Sequence, residues 1–102
     1  MYAVLTTLSL PTGMWKAACE SSDKSLALFK KMTGFKQATF FGDGDSGKYN
    51  CLAVWDNKAN MDAAYAKLGP MLLEEMNNLN ITMKAPPVRQ VYELYQAKGQ
   101  VI

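Results

Sequence analysis

The sequence predicts an α+β fold: a four-stranded antiparallel sheet with two helices on one face, in the ferredoxin-like order βαββαβ. Three observations carry that prediction. Four segments alternate with period two, and two longer segments repeat apolar residues at three- and four-residue steps. The helical segments fall second and fifth of the six. A dense turn cluster, Gly42-Asp43-Gly44-Asp45-Ser46-Gly47, joins the middle two strands as a hairpin.

Each element has its own signal. Tyr2 to Leu10 alternates, with Val4, Thr6 and Leu8 on one side and Ala3, Leu5 and Thr7 on the other. Pro11-Thr12-Gly13 ends it, and Thr12 is the expected N-cap of the first helix. That helix is expected over Met14 to Met32, with Trp15, Ala18, Cys19, Ser22, Leu26 and Phe29 as its stripe. Gly34 is its expected C-cap. Phe35 to Phe41 and Lys48 to Trp55 are the hairpin strands. Asp56 or Asn57 caps the second helix, whose stripe is Met61, Ala64, Tyr65, Leu68, Met71, Leu72, Met76 and Leu79. Pro70 lacks the N–H of a helix interior, so a kink is expected, or two helices with Pro70 opening the second. Asn77 to Ala85 reads as a loop. Pro86-Pro87 stiffens the approach to the last strand, Val88 to Gln96. The chain reads as one domain over residues 1–102.

Composition narrows the function classes. With 49% hydrophobic and 20% charged residues, the chain is not intrinsically disordered. A net charge of +2 and a single Arg argue against a nucleic-acid partner. No apolar run is long enough to span a membrane, and no Lys or Arg precedes the apolar start, so neither membrane nor signal peptide is expected. Cys19 and Cys51 read as small buried hydrophobes suited to a reducing cytosol, so a cytoplasmic location is expected. The chain has no His, which removes the usual general base and the commonest metal ligand. Two Cys are too few for a structural zinc site, and no metal is expected.

The strands are apolar on both faces. Leu52 and Val54 oppose Cys51, Ala53 and Trp55, and Val91 opposes Tyr92. Helices cover one face, and a second copy of the sheet is the economical cover for the other, so a homodimer is expected.

Several local patterns are explained by bland structure. Gly42 to Lys48 fits the G-x-x-x-x-G-K spacing of a phosphate loop, but Tyr49 replaces the metal-binding hydroxyl and a strand follows. It lacks the third acidic ligand and the closing Glu of an EF-hand. Of the third strand only Tyr49 is placed like an RNA-stacking aromatic, so RNA binding is disfavoured.

The candidate site is built around Trp55. It shares a strand face with the small Cys51 and Ala53, which leaves space beside an aromatic wall for a mostly apolar pocket. The competing reading is ordinary core packing. Tyr65 and Tyr92 offer phenols to position an acidic aromatic substrate or donate a proton. Arg89 is a fixed fork for a carboxylate, phenolate or superoxide-like anion. Its competing reading is a surface ion pair. No catalytic base is assigned.

Gly34-Phe35, the turn-rich hairpin and Leu52-Ala53-Val54-Trp55-Asp56 running into the second helix together resemble the antibiotic-biosynthesis-monooxygenase-like domains of the dimeric α+β barrel superfamily. The resemblance spans essentially the whole chain. It implies two sheets meeting face to face across a homodimer, with a small-molecule pocket in each subunit between sheet and helices. It implies activities from cofactor-free oxygenation of polycyclic aromatics to haem degradation. Haem-degrading members pair a Trp with an Asn and a haem-ligating His. Trp55 matches the Trp, but Thr7 stands near the Asn position and Tyr65 near the His position, which disfavours haem degradation.

Two functions are therefore expected. The first is a cofactor-independent monooxygenase acting on a small aromatic or quinol-like metabolite, needing no cofactor, with Trp55 as wall and Tyr65, Tyr92 and Arg89 as positioning groups. The second is a non-catalytic dimeric module that binds a small ligand, favoured by the missing base.

Overall fold

A computed structural model describes residues 1–102. The elements are β1 (Tyr2–Ser9), α1 (Trp15–Phe29), β2 (Phe35–Asp43), β3 (Lys48–Trp55), α2 (Lys58–Asn78) and β4 (Ala85–Glu93). The strands form one sheet in the order β2-β3-β1-β4, antiparallel throughout. This is the ferredoxin-like βαββαβ fold.

The register fixes which side chains share a face. Val4 lies opposite both Ala53 and Val91, and Tyr2 opposite Trp55. Val4, Ala53 and Trp55 are buried with Phe29, Met61, Ala64 and Leu68 beneath the helices. Alternation then puts Thr6, Leu8, Tyr49 and Cys51 on the helix side too, and Ala3, Leu5, Asn50, Leu52 and Val54 on the open side. A register shift at Lys36 lets both Phe35 and Ala38 face the helices.

The helix ends differ from expectation at three points. The N-cap of α1 is Met14, which makes no side-chain cap bond, so Thr12 does not cap it. The helix stops at Phe29 and closes with tight turns, Lys31 N–H to Leu28 O at 3.2 Å and Met32 N–H to Phe29 O at 3.0 Å. Gly34 is therefore past the helix. It ends the turn into β2 at φ +86°, against Asp56 and Asn60.

The second helix is one continuous element with Pro70 inside, not two. Packing on one face outweighs the one lost backbone bond: Met61, Ala64, Leu68 and Met76 are all buried. Asn57 caps it, Oδ1 accepting from Asn60 N–H at 2.8 Å. At the far end Asn80 takes a left-handed φ of 56°, and Ile81 N–H donates to Met76 O at 2.9 Å. That is a Schellman closure, completed by the apolar contact of Ile81 with Met76.

The last strand starts earlier than predicted and contains both prolines. Thr7 pairs with Val88 and Ser9 with Ala85, so Pro86 and Pro87 together oppose Leu8 in a bulge. An edge strand tolerates the missing donors, which is why Pro86-Pro87 does not end the sheet.

The helices leave much of the sheet uncovered. Every β4 residue is exposed, including Val88 at 57% and Tyr92 at 50%. The chain exposes 6322 Å², whereas a folded monomer of 11.3 kDa exposes about 5,700 Å². Val88, Val91 and Tyr92 of β4 are among the chain's large exposed apolar side chains, whereas Ala3 and Val54 on the open side are buried. No helix is long and apolar enough to cross a membrane.

Candidate functional site

The core is divided in two. One cluster is built on Trp55, Phe29 and Leu68, and the other on Leu10, Tyr49, Met76 and Ile81. Between them lies a cavity of about 370 Å³, within the usual range for small-molecule sites. Fifteen of its 23 lining residues are hydrophobic.

The floor is one cross-strand row. Arg89 on β4 pairs with Thr6 on β1, Thr6 with Cys51 on β3, and Cys51 with Phe40 on β2. All four line the cavity. Thr6 and Cys51 are short, and that is where the space arises. Ser22, Ala18 and Cys19 of α1 form one wall, and Tyr65, Leu72 and Met76 of α2 the other. The first helix buries only Phe29, because most of its inward stripe faces the cavity rather than packed core; Cys19 is exposed there.

Three of the four predicted site residues gather at one end. Tyr65 packs edge-on to Trp55, with ring centroids 5.5 Å apart, and to Phe29 at 6.3 Å. The Arg89 guanidinium carbon stands 4.5 Å from the Tyr65 ring centroid. The chain's ion pairs are Lys24–Glu75 and Lys58–Asp62, so Arg89 is not held by a carboxylate. This replaces the surface ion pair of the competing reading with a cation resting on an aromatic face.

Trp55 is placed differently from the expected wall. It is 0% exposed and stands behind Tyr65, packed against Phe35 and Phe29. It sets the position of Tyr65 and does not line the cavity itself. Tyr92 is not brought to this end. It lies opposite Ala3, whereas Arg89 and Val91 share the helix side, so its ring stands on the open face.

Burial tunes the site's titrating groups. Loss of solvent pushes the Tyr65 phenol up to about 12, with Cys51 adding a little; the Trp55 indole and Arg89 pull the other way. The indole does not reach a hydrogen bond: Trp55 Nε1 and the Tyr65 hydroxyl are both buried without partners. Burial likewise pushes the Cys51 thiol up to about 12. At neutral pH the phenol is a donor and the thiol is not a nucleophile. Asp23 is the only carboxylate on the wall, and Arg89 the only cation.

Thr6 and Tyr49 are among the lining residues that the sequence does not assign to the site. Thr6 carries no spacing signal, but its register opposite both Arg89 and Cys51 puts it on the floor. Tyr49 alternates with Cys51 and Trp55, and that alternation was its signal. It is 7% exposed on the helix side, so it offers no stacking surface on the open face.

No protein-family model and no curated protein matches the chain. Solved structures do. It is similar to SnoaB, a cofactor-independent oxygenase from Streptomyces nogalater, at 16% identity and a TM-score of 0.72, covering 96% of each chain. It is also similar to a candidate antibiotic biosynthesis monooxygenase from Deinococcus radiodurans, at 19% identity and a TM-score of 0.73, covering 97% of each. The chain thus has the fold of the antibiotic biosynthesis monooxygenase proteins over nearly its whole length.

Proposed function

We propose that the chain is a cofactor-independent monooxygenase acting on a small, acidic aromatic or quinol-like metabolite. The observation that carries this reading is Arg89: a cation without a carboxylate partner, resting on Tyr65 at the edge of a mostly apolar cavity. The shared fold with an oxygenase that needs no cofactor supports it.

In such a reaction the substrate supplies the electrons. A ring methylene loses two hydrogens and becomes a carbonyl. Dioxygen takes up four electrons, leaving one atom in the product and one in water. The one carboxylate on the wall, Asp23, is exposed and no dedicated base is present, so the substrate has to ionise readily. A cation within about 4–6 Å lowers an acid's pKa by about 1–3, which is the role of Arg89. Tyr65, neutral and unpartnered, donates to the oxygen that gains charge. Trp55 fixes Tyr65 from behind. Tyr92 belongs to the open face, where Leu5, Leu52 and Val88 also lie, and a second copy covers that face in a homodimer.

The test is oxygen consumption with a panel of hydroxylated bicyclic and tricyclic substrates. The reading predicts one dioxygen consumed per carbonyl formed, with little peroxide, and a large loss in Arg89→Ala. Binding without consumption by the wild type favours the second reading, a non-catalytic ligand-binding module. The missing base is the observation that speaks for it.

A further inference from the structure

The cavity has a second polar end, which the proposed oxygenase reading does not use. Tyr49 is 7% exposed, and its hydroxyl is buried with no hydrogen-bond partner. That hydroxyl is closed off beside the Gly44 turn and the Cβ of Trp15. Buried hydroxyls are almost always paired, so this orphan of a cavity-lining residue is left to a ligand oxygen that reaches it when that cover moves. Tyr49 belongs to the cluster of Leu10, Met76 and Ile81, whereas Tyr65 packs on the cluster around Trp55. The two orphan phenols thus lie at opposite ends of one cavity. Tyr49 stands two residues along β3 from Cys51, the floor residue in the row of Arg89, a step of about 7 Å.

We infer that Tyr49 is a specificity-determining residue: its hydroxyl binds a neutral oxygen at the far end of a flat ligand whose acidic group faces Arg89. This rests on the reading of the cavity as a site for small acidic aromatics. It adds that the ligand is oxygenated at both ends, with an apolar middle over Thr6 and Cys51. Access requires movement of Trp15, whose ring lies 6.2 Å from that of Tyr49. Trp15 is 53% exposed and begins a helix with no side-chain cap, so little holds it in place.

The probes are 6-hydroxy-2-naphthoate and 2-naphthoate, which differ only in the distal hydroxyl, titrated calorimetrically into the intact chain. Wild type is expected to prefer the hydroxylated acid about fivefold, the worth of one neutral hydrogen bond. Tyr49→Phe is expected to bring that ratio to one and leave 2-naphthoate affinity unchanged. Arg89→Gln is expected to weaken both acids and keep the ratio. A ratio of one in wild type, which needs no variant to fold, overturns the inference while leaving the acid site standing. A ratio that survives Tyr49→Phe also overturns it. If wild type binds neither acid, the underlying reading of the cavity falls, and this inference with it.

Discussion

The guanidinium of Arg89 on β4 lies over the ring of Tyr65 on α2, 4.5 Å from carbon to centroid, at the edge of the cavity that both residues line. The ring supplies the platform, and the hydroxyl supplies none of the stability. Tyr65→Phe keeps the platform and removes a buried oxygen without a partner. It is expected to hold or raise stability by up to about 1 kcal/mol. Tyr65→Ala removes an aromatic contact with Trp55 and Phe29 and is expected to cost about 3 kcal/mol. Urea unfolding measures both. A Phe variant as damaged as the Ala variant would reveal a structural partner for the hydroxyl.

Alkaline pH is expected to destabilise the fold in a defined window. Cys51 ionises near 9.0 and Tyr65 near 10.0 in ordinary surroundings, and both are pushed up to about 12 by burial. Above pH 9 the unfolded chain releases protons that the folded chain retains, so stability falls as pH rises towards 12. Below pH 9 these two groups contribute no slope. A pKa difference of one between the two states is worth about 1.4 kcal/mol, so the loss across the window amounts to a few kcal/mol. Cys51→Ala should flatten the first part of that decline in denaturant titrations at stepped pH. An unchanged slope between pH 9 and 10 would contradict the burial of the thiol.

Two glycines with similar backbone angles should respond differently. Gly34 and Gly13 have φ of +86° and +80°. A methyl group at Gly34 would overlap the Asp56 carboxylate and come within 2.7 Å of Asn60 Cβ, whereas nothing lies within 4 Å at Gly13. Gly13→Ala is expected to cost about 1 kcal/mol, the backbone strain alone. Gly34→Ala is expected to cost about 2–4 kcal/mol, because it also disturbs the cap of α2. Equal losses in denaturant unfolding would remove the packing role assigned to Gly34.

Periodicity made the six elements legible, because each helix turns one apolar stripe, and each of β1, β2 and β3 one alternating set, towards the interior, while β4 keeps the alternation although all its residues are exposed. Their ends were less legible. Thr12 has the chemistry of a cap, but the chain enters α1 through Met14, and Gly34 is used for packing rather than for ending the helix. Pro70 is tolerated because burial of Met61, Ala64, Leu68 and Met76 holds one helix together across it. The site was legible in part. Alternation along β3 put Cys51, Ala53 and Trp55 on one face, but not their depth, and so Trp55 emerged behind Tyr65 instead of on the wall. The face of Tyr92 depends on a register across β1 that no local pattern carries. The pairing of Arg89 with Tyr65, and the rows that set Thr6 and Tyr49 on the wall, are likewise tertiary facts.

The open face predicts self-association. Leu5, Leu52 and Val88 stand there with Tyr92, and the chain exposes more surface than its mass requires. Sedimentation at micromolar concentration is expected to give twice 11.3 kDa. Leu52→Lys with Tyr92→Asp is expected to give the single-chain mass without loss of helical signal. A wild-type chain sedimenting at 11.3 kDa would refute the homodimer.

The most direct test of the acid site compares 2-naphthoate with the neutral 2-naphthamide by calorimetric titration, in wild type and in Arg89→Gln. Hydrogen bonds to a charged partner are worth about 1.5–3 kcal/mol, so wild type should prefer the carboxylate by about 10–100-fold. Arg89→Gln should abolish that preference, with little change in stability, since an exposed cation–π contact is worth about 0.5–1 kcal/mol. No preference in wild type, or one that persists without Arg89, would contradict the account.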